Sequence, residues 1–461
     1  MVERLKTLLE RDHIDRILEA DIEAQEKQRE FVCRRMKDRF DTICVLGAYS
    51  QDDAYAFKSI VPCASMSVAS PFQSAEEAAA VLAYKIPGYV YTRIVNPTNY
   101  LLELTLAMLD GYDLNRYSDE IQTSALTTSS GMAAIFTAVT PFLHPGCNFV
   151  SSNKVYGGTY MQFDVELRQL GAECRWVENP GDLSEWKNSI DDGTRFMYVE
   201  TPSNPGLFIA DIPALADLAH SNGIPLIVDS TIATPVLMRP LSLGADIVVH
   251  SLSKAMTGSA RAIGGALVSR KNIVTKEKNA ELRADFATWV RKWPYRDIGA
   301  CMSPANAERT LDEIRTLRHR IKTMSHSALR VAEFLRSHPK ILRVNYPGLP
   351  SHPQHDLARR EMVMVDEEPA NAFSYLMSFD VKGSVADANR VVESMRIGYH
   401  TTHLGSSCTI RIQPSCTTHL QQGEEARRKA GIGETQVRYS VGLEATSDII
   451  RDIDQALATV S

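Results

Sequence analysis

A lysine and an aspartate, each set at the end of an apolar run, are the residues of this chain best suited to chemistry. The run Ile224-Pro225-Leu226-Ile227-Val228 ends in Asp229, and the run Ala245-Asp246-Ile247-Val248-Val249-His250 opens into Ser251-Leu252-Ser253-Lys254. A lysine amine on a loop forms a Schiff base with an aldehyde. An acid ending a buried strand needs a cationic partner to offset its desolvation, and a protonated pyridine nitrogen is such a partner. Pyridoxal phosphate requires both groups at once. Its phosphate dianion asks for a third element, a helix N-terminus with free N–H groups and nearby hydroxyls. Ser130-Gly131-Met132 opens an apolar helical segment running to Val139, and Ser251 and Ser253 place two hydroxyls beside the lysine. Singly, each feature has a plainer reading: a helix cap for Ser130, a salt bridge for Asp229, a surface amine for Lys254. Their conjunction points to the cofactor.

The elements that must position these groups follow from the surrounding pattern. From Leu101 to about Arg270, helix-like and strand-like segments alternate. Phe149-Val150, Arg175-Trp176-Val177 and Arg195 to Glu200 read as strands, as do the two runs before Asp229 and His250; Met132 to Val139 and Ile212 to His220 read as helices. Such alternation predicts a mostly parallel sheet with helices on both faces. Ligands bind beyond the carboxyl ends of such strands, where Glu200, Asp229 and His250 to Lys254 fall. After about residue 305 the texture changes to a smaller α/β unit. There Ala307 to Phe334 reads as one long helix, and Ile341 to Val344, Ala372 to Met377 and Val437 to Val441 read as strands. Residues 1 to about 42 read as helix, with Leu5, Leu8, Leu9, Ile14, Ile17 and Leu18 near helical spacing. Its later part, Glu23 to Arg39, is nearly all polar and is expected to be solvated. From about 50 to 100 the text is irregular, rich in Ala, Ser, Pro and Tyr, as in a functional loop.

Composition narrows the remaining possibilities. A chain of 461 residues with 44% hydrophobic and 23% charged content has the make-up of a globular protein of two domains. A formal net charge of -6 gives no reason to expect nucleic acid or an anionic membrane as partner. The eight cysteines are scattered without a CxxC pair, which argues against a structural metal site and for a reducing compartment. The start is too charged for a secretory signal and no run is long enough to span a bilayer, so the expected location is the cytoplasm. No GxGxxG follows an early strand, which disfavours a dinucleotide-binding protein.

From about Ser59 to the C-terminus the chain resembles the pyridoxal-phosphate-dependent enzymes of cysteine and methionine metabolism. That group includes cystathionine γ-synthase, cystathionine and methionine γ-lyases and O-acetylhomoserine sulfhydrylase. The resemblance rests on ordered motifs: Tyr91-Thr92-Arg93-Ile94-Val95-Asn96-Pro97-Thr98, Ser129-Ser130-Gly131-Met132, Val155-Tyr156-Gly157-Gly158-Thr159, Glu200-Thr201-Pro202-Ser203-Asn204-Pro205, Val228-Asp229-Ser230-Thr231, His250 to Lys254, and Val437 to Gly442. It implies the type I fold of these enzymes, aspartate aminotransferase-like. The expected parts are a helical extension and intersubunit arm over 1–110, a cofactor-binding large domain over 111–305 and a small domain over 306–461.

The resemblance also implies roles. Lys254 carries the Schiff base and then shuttles protons, Asp229 holds the pyridine nitrogen, and Asn204 approaches the ring hydroxyl. Tyr156 lies over the ring face, where stacking and a phenol acid both serve. Gly131, Met132, Ser251 and Ser253 bind the phosphate, joined by Tyr91 and Arg93 of a neighbouring subunit. Arg438 pairs with the substrate α-carboxylate, and Thr402 and His403 lie on the substrate side. The implied assembly is a homotetramer built from active dimers, with a small amino acid as substrate. The implied reaction is γ-elimination or γ-replacement on an L-amino acid with a γ-leaving group: a sulfur amino acid, a homoserine ester or a canavanine-like substrate. β-Elimination on cystathionine or cysteine is the alternative, since it uses the same apparatus. Three positions depart from the family text. His403 stands where many members have serine, Gly158 stands where methionine γ-lyases usually have cysteine, and Gly258-Ser259-Ala260-Arg261 replaces a more usual His and Asp after the lysine loop. An imidazole at position 403 serves either in contact with the substrate side chain or as a wall residue.

Overall fold

A computed structural model describes residues 22–460 apart from 25, 87, 418–422 and 430. Seven strands form the large sheet: β1 (Thr123–Thr128), β2 (Asn148–Ser152), β3 (Glu173–Val177), β4 (Thr194–Glu200), β5 (Leu226–Asp229), β6 (Ile247–His250) and β7 (Gly265–Arg270), in the order β1-β7-β6-β5-β4-β2-β3. Strands β2 to β6 are mutually parallel, while β7 runs antiparallel to β6 and β1. The central strands are buried along their whole length, as expected where helices cover both faces. Their period of two divides them between two cores. Leu226, Val228 and Val248 belong to one apolar cluster; Ile227, Ile247, Val249 and Tyr198 belong to the other. Asp229 therefore projects on the same face as Ile227, toward Tyr198 and the helix Gly131–Val139.

The second sheet holds β8 (Ile341–Asn345), β9 (Leu376–Val381), β10 (Tyr399–His400), β11 (Ile410–Ile412) and β12 (Gln436–Ser440), in the order β10-β11-β12-β9-β8. Alternation again decides orientation. Val437 and Tyr439 pack into the third apolar cluster with Phe379 and Ile453, so Arg438 and Ser440 project from the opposite face. An α/β chain with a mostly parallel large sheet and a smaller second sheet is the architecture that the sequence implies.

Several local expectations are corrected. The segment from Glu23 to Arg39 is not wholly solvated: Val32 and Met36 are buried and join Phe40 in the first core. The irregular stretch from 50 to 100 contains helices Gln51–Phe57 and Ala75–Leu82, each with a serine cap. It ends in the helix Pro97–Asp110, capped by Asn96 and packed on β1. The long helix expected over 307–334 is two helices, Pro304–Ile314 and Leu317–Ser337. The strand expected from Ala372 begins instead at Leu376. The apolar positions from Leu5 to Leu18 lie outside the described residues.

Candidate active site

The parallel strands end side by side, because the register aligns Glu200 with Asp229 and Asp229 with Val249. Asp229 is buried. Its Oδ1 accepts the Thr231 N–H at 3.0 Å and its Oδ2 accepts the Tyr198 hydroxyl at 3.3 Å. Burial raises its pKa, while Thr231, His250 and Tyr198 pull the other way. Glu200 is lifted well above the usual carboxyl range by burial and then by the charge of Asp229. On the far side, His250 Nε2 lies 2.9 Å from Asp110 Oδ1, both groups fully buried. Burial opposes protonation of this ring, but the charge and hydrogen bond of Asp110, helped by Asp229, prevail and raise its pKa. Asp229 is thus a buried acid whose desolvation is partly offset by Thr231, His250 and Tyr198.

Lys254 sits in the loop after β6, where burial and then the like charge of Arg438 bring its amine down from 10.5 to about 8. The anion cradle lies alongside. The Ser130 hydroxyl accepts the Ala133 N–H at 3.1 Å and caps the helix, which leaves the N–H groups of Gly131 and Met132 without intrahelical acceptors. A Cβ at Gly131 would lie 2.7 Å from that of Ser251, so glycine is what allows the helix start to approach the lysine loop. The Ser251 N–H donates to Thr231 Oγ1 at 2.8 Å. The Ser253 hydroxyl is already engaged with Gly264, donating to its carbonyl at 3.1 Å and accepting its N–H at 3.0 Å. Its one O–H proton is therefore directed at the Gly264 carbonyl in this structure.

Tyr156 and Asn204 are held by one carboxylate. Glu200 Oε2 accepts the Tyr156 N–H at 2.7 Å and Oε1 accepts the Asn204 N–H at 2.8 Å. The Tyr156 side remains 44% exposed, open to the cleft, and its ring lies over Gly158. A Cβ at Gly158 would stand 2.5 Å from Tyr156 Cε1, so the ring pose needs glycine there.

Arg438 is only 1% exposed. It donates to Asn204 Oδ1 at 3.4 Å, to the Thr402 carbonyl at 3.0 Å and to the His403 carbonyl at 2.8 Å. Burial lowers its pKa to about 10, and among the described residues no carboxylate pairs with it. His403 is brought to the same place. Burial, then Lys254, then Arg438 lower its pKa to about 4, and its Nε2 is buried without a partner.

Tyr91 and Arg93 lie elsewhere on the chain. Both are exposed; the Arg93 guanidinium bonds the Arg296 carbonyl and lies 5.6 Å from the Tyr91 ring centre. None of their hydrogen bonds reaches the Lys254 loop within this chain. Arg261 is also exposed, away from the buried groups around Lys254. His352 is buried, and burial lowers its pKa to about 4.

Sequence reasoning left four supporting residues without a role: Glu200 as a brace, Tyr198 under Asp229, the Asp110 partner of His250, and Tyr375. The Tyr375 hydroxyl is buried without a partner, and Arg438 is the charge that acts on it most strongly. A strand ending in an acid was visible at Glu200. The N–H groups it clamps, 44 residues before and four after it, belong to tertiary structure alone.

A lysine of lowered basicity, a buried acid, an open helix N-terminus and a guanidinium lacking an anion fit pyridoxal phosphate and an amino acid. They define the site of a pyridoxal-phosphate-dependent enzyme. Residues 41–458 match the family model described as Cys/Met metabolism PLP-dependent enzyme, and the chain belongs to that family. It is 37% identical over 391 residues to an O-succinylhomoserine sulfhydrylase of Pseudomonas aeruginosa, covering 84% of this chain and 88% of that one. It is 35% identical to an L-methionine γ-lyase of Fusobacterium nucleatum subsp. polymorphum, over 84% of this chain and 91% of the other. A solved Campylobacter jejuni structure, named for an O-acetylhomoserine (thiol)-lyase, carries N′-pyridoxyl-lysine-5′-monophosphate. It is 33% identical, has a TM-score of 0.83, and is covered in full by 91% of this chain.

Proposed function

We propose that this enzyme catalyses γ-elimination or γ-replacement on an L-amino acid bearing a γ-leaving group, drawn from sulfur amino acids, homoserine esters or canavanine-like compounds. The observation that carries the reading is Arg438, a buried guanidinium with three oxygen acceptors and no carboxylate, set beside Lys254. The charge and remaining N–H groups of this guanidinium can receive an α-carboxylate while the amine of the same substrate meets the lysine site. The γ-position is supported by the activities named for the sulfhydrylase and γ-lyase relatives.

When bound, pyridoxal phosphate supplies an electron sink for the charge left at Cα. The Gly131 and Met132 N–H groups and the Ser251 hydroxyl would hold its phosphate, joined by Ser253 once its hydroxyl turns from the Gly264 carbonyl, and Asp229 would hold its ring nitrogen. Asn204 would meet the ring hydroxyl and Tyr156 would stack on the ring. Lys254 takes the Cα proton; an amine with a pKa of about 8 is free in useful amount near neutrality. A second proton leaves Cβ, and the γ-substituent departs with help from Tyr156 or Lys254. Thr402 and His403 steady Arg438 through their carbonyls.

Tyr91 and Arg93 complete the phosphate site of a neighbouring subunit in a homotetramer of active dimers. Their exposure supports this, as do the exposed Tyr55, Phe57, Ile60, Met66 and Val68 on the same arm. A cytoplasmic location accords with eight free cysteines. Among the described residues no helix is long and apolar enough to cross a membrane. Incubation of the yellow protein with O-acylhomoserines, cystathionine, methionine and canavanine, scoring 2-oxo acids and new amino acids, tests the reading. Activity on cysteine alone, with none on any γ-substituted substrate, would replace it by β-elimination.

A further inference from the structure

The turn 402–405 bridges the two halves of the site. Its carbonyls at Thr402 and His403 take both Nη2 bonds of Arg438, and the Gly405 N–H donates to Ser440 Oγ at 2.9 Å. At its other end Gly405, with φ +74°, presses on the lysine loop: a Cβ there would lie 2.6 Å from the Ala255 nitrogen. The His403 side chain is therefore carried by backbone that touches both the carboxylate receptor and the segment of Lys254. No side-chain hydrogen bond is made by this imidazole, and its Nε2 is enclosed without a partner. A buried ring nitrogen beside Lys254 and Arg438 that no protein group satisfies needs a polar partner from elsewhere.

We propose that His403 determines specificity, its Nε2–H donating a hydrogen bond to an oxygen acceptor on the substrate's γ-substituent. The inference rests on the amino-acid reading above and names the class within it: substrates whose γ-group is oxygen-borne, such as an acyl ester. The chemistry of the ring decides this. Burial, followed by the like charges of Lys254 and Arg438, keeps it neutral, with a pKa of about 4. At pH 7 it is a neutral donor and not an acid. A neutral donor suits an acyl group: when the Cγ–O bond breaks, the electron pair stays on oxygen as a carboxylate, which needs no proton to leave. A thioether sulfur is a weak acceptor and leaves as a basic thiolate, so it gains least from the same N–H. A site built to hydrogen-bond a substrate group also discriminates against the analogue lacking it.

The test uses holoenzyme and two ligands of equal length without a good leaving group, Nγ-acetyl-L-2,4-diaminobutyric acid and L-2-aminoheptanoic acid. The first carries an amide whose carbonyl stands at the position of an ester carbonyl, and the second carries methylenes there. Calorimetric Kd values are expected to favour the acetyl compound about 10-fold in wild type. In His403→Phe that preference falls below about 2-fold while the heptanoic acid still binds, and His403→Gln, which keeps an N–H donor, restores part of it. Because the ring is neutral throughout, the wild-type preference stays constant from pH 6 to 8.5. Equal affinity of wild type for the two ligands, or an undiminished preference in His403→Phe, overturns the assignment and leaves the amino-acid reading intact. Failure of both ligands to bind wild-type holoenzyme overturns that reading itself. Loss of the heptanoic acid together with the cofactor's colour in His403→Phe would show a structural role and would also overturn the proposal.

Discussion

Replacing Arg438 by methionine separates the work of a carboxylate receptor from that of a structural brace. The wild-type guanidinium is buried and its pKa is lowered from 12.5 to about 10, chiefly by desolvation. A displacement of that size corresponds to about 3 kcal/mol disfavouring the charged form, present in full at pH 7, well below both values. Against it stand three hydrogen bonds, one of them long at 3.4 Å, each contributing roughly 1 to 2 kcal/mol to an ionic donor. The two nearly cancel. Arg438→Met in the cofactor-free protein should therefore melt within a few degrees of wild type. Binding should behave differently. A buried, charge-assisted pair loses about 2 to 5 kcal/mol when one partner is truncated, or roughly 30- to 5,000-fold in Kd. The assay compares L-norleucine with pentylamine, which lacks only the carboxylate. Wild type should prefer norleucine by that factor, and the variant should bind both alike. A variant that keeps the preference, or that melts more than about 10 °C lower, would refute the assignment of Arg438 as receptor.

Three further outcomes follow from the same geometry. Only unprotonated Lys254 attacks an aldehyde, so the rate at which cofactor-free protein regains visible absorption with added pyridoxal phosphate should rise through a midpoint near pH 8. Arg438→Met should move that midpoint upward by removing a like charge; a wild-type midpoint near 10 would contradict it. Gly158→Ala places a methyl 2.5 Å from the Tyr156 ring. It should lower kcat/KM about 5- to 150-fold, the equivalent of a 1 to 3 kcal/mol overpacking strain, and should add little in a Tyr156→Phe background. Asp110→Asn should destabilise the protein by about 3 kcal/mol near pH 6. His250 has a raised pKa in the fold, so the pair's contribution is complete below about 6.5 and declines as pH rises through the folded value. The difference between wild type and variant in denaturant melts should shrink toward pH 9, and a pH-independent difference would rule out the ion pair.

The legible parts of this protein are those in which local pattern and tertiary role coincide. Buried parallel strands leave continuous apolar runs, so β4, β5 and β6 and the acids ending them could be read directly, as could the helix opened by Ser130-Gly131. Strands β1 and β7 escaped notice because TSALTT and GALVSR carry small and polar residues, placed where Gly265 lets β7 pass the Ser130 carbonyl. The 307–334 segment hid a break at Arg315-Thr316, since neither proline nor glycine marks it. Of the candidate site, Lys254 and Asp229 could be picked out from type and place, and Arg438 and Tyr156 only through the family resemblance. Glu200 and Asp110 act on N–H or imidazole groups far away in the chain, and no spacing encodes that.

The packing of the 402–405 turn has a consequence for how substrate choice can vary on this scaffold. Arg438 is anchored by backbone carbonyls, and the turn supplying them abuts Ala255 through a glycine whose positive φ leaves no room for a Cβ. The separation of Arg438 and the lysine loop is thus fixed by main chain on both sides, independent of which side chain occupies position 403. On the assignment proposed for His403, a change there would alter what meets the γ-substituent and leave in place the backbone that anchors Arg438. Selectivity among leaving groups and the positioning of Arg438 would then be carried by different atoms of one turn.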